Sequence, residues 1–104
     1  MILSTTDSVP AREIVEIVGL VRGNTVRSAD VSQDMQAWFK NLVGGEIEEY
    51  TKLLAEAREQ SLDRMIADAR ARGANAIVGV RFATSEVTDG AAEFLAYGTA
   101  VKVR

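Results

Sequence analysis

Apolar and polar positions change period several times along the chain, and each change marks an element. Residues 1–5 (MILST) read as a short strand, followed by a polar connection over 6–12 that carries the only proline, Pro10. Over residues 13–22 (EIVEIVGLVR) the apolar positions Ile14, Val15, Ile17, Val18, Leu20 and Val21 crowd together. This β-branched run predicts a strand buried on both faces. Gly19 within it predicts a bulge or a close backbone approach, and Gly23-Asn24 predicts a turn. Residues 25–33 show no period. Asp30 or Ser32 is placed to cap a short helix over 34–43 (DMQAWFKNLV).

Gly44-Gly45 then interrupts, and residues 46–72 form a long run of helix formers without glycine or proline. Acids open it (Glu46, Glu48, Glu49) and arginines close it (Arg70, Arg72), the order that suits the helix dipole. Glu48–Lys52 and Asp68–Arg72 have the favourable i,i+4 order. Gly73 is a natural left-handed stop. A strand follows around residues 77–83, a turn at Asp89-Gly90, and a last strand over 92–104. In that strand Glu93, Leu95, Tyr97, Thr99, Val101 and Val103 share one face, while Phe94, Ala96, Gly98, Ala100 and Lys102 share the other. The smaller second face leaves room for the long helix. The order is ββααββ in a single domain over residues 1–104: an α+β fold with an antiparallel sheet and helices on one face.

On a wheel of ~100° per residue, Ile47, Thr51, Leu54, Leu62, Met65 and Ala69 of the long helix form one stripe. Tyr50, Ala57 and Ser61 flank it, and Arg58 falls near its centre. A charged head in an apolar stripe is costly unless paired. Two readings stand: Arg58 covers apolar surface with its stem, or it pairs with a carboxylate at a subunit boundary, with Asp30, Glu46 and Glu93 as candidate partners.

Composition narrows the chemistry. At 104 residues, 47% hydrophobic and 26% charged, the chain has the balance of a globular domain. A net charge of −3, without any basic run, argues against a nucleic-acid partner. Histidine and cysteine are both absent. The side chain best suited to proton transfer near neutral pH is therefore missing, together with the imidazole and thiolate ligands that heavy metals favour. The N-terminus lacks signal-peptide character, and no apolar run approaches the ~20 residues of a membrane helix. The expected compartment is the cytoplasm.

Several segments together resemble the YbjQ-like family. They are ILSTT at 2–6, GLVRG at 19–23, NLVGGEIEEYTKLLAEAR at 41–58, DRMIADARARGANAIVGVRF at 63–82 and EFLAYGTAVKV at 93–103. The resemblance spans nearly the whole chain. It implies a compact α+β subunit similar in plan to the dodecin subunit, and a cyclic homo-oligomer, most often a pentamer. It also brings the label of a heavy-metal-binding family, without a settled activity.

Gly44-Gly45-Glu46 admits three uses: a phosphate cradle at a helix N-terminus, a tight break between helices, or the close approach of a neighbouring subunit. The carboxylates of Glu46, Glu48 and Glu49 repel phosphate and favour the break. Carboxylates such as Glu46 and Glu49, one turn apart, are the candidate metal ligands, and they suit hard divalent ions rather than soft ones. Trp38 and Phe39 are adjacent, so one packs inward and the other toward a neighbour or a flat ligand. Tyr97 reads as a strand residue with its hydroxyl at an edge. No nucleophile triad, Walker or dinucleotide pattern is present. The expected function is an oligomeric structural or ligand-binding module without a catalytic site or cofactor. Its partner is a second copy, joined through Arg58, Glu46, Trp38, Tyr50 and Tyr97, with room for an unidentified small ligand. The alternative is a carboxylate-based divalent-metal binder or metal-dependent enzyme.

Overall fold

The computed structural model describes residues 1–28, 48–88 and 91–104. Its elements are β1 (Ile2–Leu3), β2 (Ile14–Ser28), α1 (Glu48–Ala71), β3 (Ala76–Thr88) and β4 (Ala91–Val103). The short helix expected over 34–43 and the Gly44-Gly45 break lie outside the described residues. The four strands form one sheet in the order β1-β3-β4-β2. β4 pairs antiparallel with both long strands, whereas β1 runs parallel to β3. The sheet is therefore mixed, not antiparallel throughout. β1 is joined in sequence to β2, on the far edge, and not to β3 by a hairpin, so no tight turn imposes an antiparallel direction.

The two faces of β4 sort as the alternation predicts. Ala96 and Ala100 face α1 and build a core with Val21, Ile77, Val80, Met65 and Ala69. On the other face Val101 and Val103 join Ala76 and Val78, and the N-terminal segment closes over them with Ile2 and Val9. Each face thus has its own cluster at the end of the sheet where the chain begins and ends.

β2 corrects two expectations. It continues straight through Gly23-Asn24, where a turn was predicted. Gly23 serves close packing instead: a Cβ there would overlap the backbone of Ser61 and Met65 on α1. The strand is also not buried on both faces, because it lies at the sheet edge with α1 on one side only. Val21, Gly23 and Thr25 are buried beneath the helix, while Val15, Ile17 and Leu20 are exposed. The bulge expected at Gly19 is present, as a register shift between Ile17 and Gly19.

α1 ends as its sequence dictates. Gly73 takes φ +83°. Its N–H bonds to the Arg70 carbonyl at 3.0 Å, and the Ala74 N–H bonds to the Ala69 carbonyl at 3.0 Å, the paired closure of a glycine-stopped helix. The Asp68–Arg72 pair forms at 3.2 Å. The buried stripe runs along Ala57, Ser61, Met65 and Ala69, so two residues read as flanking lie at its centre. Small side chains let the helix approach the sheet, and the Ser61 hydroxyl is satisfied by the Ala57 and Phe94 carbonyls and by Thr25 Oγ1, at 2.9, 3.1 and 3.1 Å.

Candidate functional site

Arg58 is exposed, as is Thr51. The wheel placed both in the stripe, but it carries no information on how far the sheet extends beneath the helix. Of the partners proposed for Arg58, Asp30 and Glu46 lie outside the described residues. Glu93 stands on the face of β4 turned away from α1, which no helix covers among the described residues (the helix-free face), within 3.4 Å of the Asn24 amide, and so does not meet Arg58 of its own chain. No ion pair of Arg58 occurs among the described residues. Trp38 lies outside them too. Glu49 and Tyr50 fall in the first turn of α1, but their side chains are outside what is described.

Tyr97 is half-buried on the helix-free face, with Arg22 of β2 and Arg81 of β3 as its cross-strand neighbours. That face is the feature sequence reasoning missed. Ile17, Leu20 and Val26 on β2, paired with Val101, Thr99 and Glu93, are each more than half exposed there, with Ile17 reaching 71%. The signal that could have found it is the second face of β4, which supplies Leu95, Tyr97 and Thr99 with no helix to cover them among the described residues.

The two long edges of the sheet differ. Along β2 the helix reaches over the edge: Arg72 Nη1 donates to the Leu20 carbonyl at 3.1 Å, and Arg64 Nη1 donates to the Asn24 carbonyl at 2.6 Å. Arginine donors thus occupy acceptors that another strand would otherwise claim. Along β3, β1 and the segment after it bond as far as Val80, whose N–H reaches the Ser4 carbonyl at 2.9 Å. Residues 81–88, about 25 Å of strand at ~3.3 Å per residue, have no strand beyond them among the described residues.

An apolar recess of about 260 Å³ opens on the helix-free face between the N-terminal segment and β2. Asp7, Ile14, Ile17, Val78, Gly79, Thr99 and Val101 line it.

A heavy-metal site does not fit the donors present. The chain has no cysteine or histidine, and the described residues contain no group of three carboxylates placed to share an ion. Soft ions select thiolate and imidazole, and neither is available. No helix among the described residues is long and apolar enough to cross a membrane.

The comparisons with known proteins bear on all of this. The YbjQ_1 family, described as "Putative heavy-metal-binding", matches residues 1–104. A UPF0145 protein of Archaeoglobus fulgidus is 57% identical over the whole chain and 96% of its own length. One from Halorubrum lacusprofundi is 52% identical with both chains fully covered. One from Vibrio campbellii is 52% identical over 99% of each chain. Among solved structures, a DUF74-family protein of Pediococcus pentosaceus superimposes with a TM-score of 0.68, covering 100% of this chain and 98% of the other, at 14% identity. At that identity it supports the fold alone. With a family match end to end and relatives above 50% identity over nearly their full lengths, the chain belongs to the YbjQ_1 family.

Proposed function

We propose that the chain is the building block of a cytoplasmic homo-oligomer that serves as a structural or ligand-binding module and carries no catalytic site. The observation that carries this reading is the helix-free face, where Ile17, Leu20 and Val26 lie open beside Leu95 and Tyr97. Large apolar side chains exposed together, interspersed with Arg22, Asn24 and Arg81 on the same face, support a contact surface, and the β3 edge beyond Val80, without a strand partner among the described residues, is the kind of surface that a fold otherwise covers or guards. Five copies in a ring is the favoured number, on the resemblance to cyclic family members. A ring needs two different surfaces on each protomer. Arg58, exposed on α1 and without an ion pair among the described residues, supplies a bidentate donor for one of them.

Native mass spectrometry of the gently purified protein tests this, since it reports copy number and retained ligands together. A multiple of the 11.2 kDa chain is expected, and a monomer at micromolar concentration would sink the reading. Arg58→Ala should loosen the assembly in a sedimentation dilution series, and Arg58→Lys should restore it only in part, because the planar fork is lost. Wild-type sedimentation of Arg58→Ala down to nanomolar concentration would make Arg58 a solvated side chain.

The family description favours a second reading, a carboxylate-based binder of divalent ions. Glu46 and Glu49 would hold a hard ion with help from water.

A further inference from the structure

We infer that the recess beneath the N-terminal segment is a binding site for a small apolar ammonium compound, which gives the ligand-binding reading above a ligand class and rests on it. The floor is made by Val78 of β3 and Val101 of β4, and Ile14 and Ile17 of β2 form one wall. Four β-branched side chains make a stiff, preformed surface, since each has little rotamer freedom to lose. Preformed concave apolar surface with a few convergent polar groups is the general form of a small-molecule site.

Two polar groups converge here. Thr99 of β4 and the exposed Asp7 of the N-terminal segment both line the recess. Asp7 forms no ion pair among the described residues. Arg81 of β3 donates to the Thr5 and Val80 carbonyls at 2.9 and 2.8 Å. Asp7 is the one charged residue among the described residues of the lining. An apolar recess lined also by an exposed acidic residue favours a hydrocarbon group that ends in a cation.

The backbone keeps the space open. Gly79 stands in the lining with φ +62°, and a Cβ built there meets nothing within 4 Å. Its N–H is already bonded to the Thr6 carbonyl at 2.9 Å, so the N-terminal segment is pinned at the rim and does not collapse into the recess. About 260 Å³ falls just below the ~300–1,000 Å³ of drug-sized sites, which limits the ligand to a short branched or aromatic amine bound at millimolar strength.

The experiment uses the intact protein, uniformly ¹⁵N-labelled, titrated with isoamylamine and, separately, with its neutral counterpart isoamyl alcohol. The expected result is saturable amide shifts confined to the neighbourhood of Ile17, Gly79 and Thr99, with the amine bound about tenfold more tightly than the alcohol. Asp7→Asn should abolish that preference and leave the weak binding of the alcohol. Ile17→Glu, at an exposed position that leaves the fold intact, should weaken both. Three results would overturn the proposal: no saturable shift with the amine, equal binding of amine and alcohol by the wild type, or an undiminished preference in Asp7→Asn. The oligomer reading is measured separately by mass and survives any of them.

Discussion

Gly23 and Gly79 are both glycines in strands, and they are glycines for different reasons. Gly79 has a left-handed backbone and open space in front of it. Gly23 has an ordinary strand conformation but lies directly under α1, against Ser61 and Met65. Gly79→Ala should cost about 1–2 kcal/mol for conformation alone, and Gly79→Asn should recover part of it, since asparagine tolerates that region. Gly23→Ala should cost about 3 kcal/mol or more by pushing the helix off the strand, and Gly23→Asn should be worse still. Urea denaturation of the four variants checks the two orders. The sequence marks both positions as glycine and gives no means of telling the two cases apart, because the difference depends on what lies above each residue. The ligand chemistry is legible without coordinates. No zinc, copper or cadmium site of micromolar affinity is expected from a chain without thiolate or imidazole. One tight site per chain by isothermal titration would overturn that and make Glu46 and Glu49 the first positions to change.

At the scale of elements, the readings that held rest on local rules. The sidedness of β4, the Gly73 stop and the Asp68–Arg72 pair each follow from spacing within one segment. The readings that failed needed knowledge of neighbours. A run such as EIVEIVGLV looks the same whether the strand is central or at an edge, so the exposure of Val15, Ile17 and Leu20 was hidden. Arg58 sits at the right angle on the wheel, but its fate depends on where the sheet stops. The parallel entry of β1 depends on a crossing that no local pattern records. Asn75 is a further case. Placed between α1 and β3, it reads as a loop residue, yet its amide donates to the Val103 carbonyl at 2.9 Å and its carbonyl accepts the Val103 N–H at 2.8 Å. It thereby replaces a missing strand partner at the end of β4. Asn75→Ala should lower stability by about 1–3 kcal/mol. Asn75→Asp, which keeps the acceptor and loses the donor, should fall between, and thermal melts of the pair measure this.

Across the whole molecule the burial is uneven. The radius of gyration is 17.2 Å, against about 13 Å for a compact chain of this length. The end of the sheet near both termini has a cluster on each face, one under α1 and one under the N-terminal segment. Toward the other end, residues 81–87 of β3 are exposed throughout. A protomer with this shape has a well-packed half and a half that its described residues leave thin. Local opening follows such differences, because regions with few buried apolar contacts open at low free-energy cost and regions inside the core open only with the whole. The β3–β4 ladder should therefore not exchange its amide hydrogens as one unit. In deuterium oxide, Ile77 and Val101 should hold their protons longest, and Ala83 and Leu95 should lose theirs sooner in the isolated protomer. Slow, uniform exchange along the ladder at high dilution would show that the thin half holds itself together. If the rates converge only as concentration rises, the missing half of its core is supplied by another copy, and the opening of one strand end becomes a clock for the lifetime of the assembly.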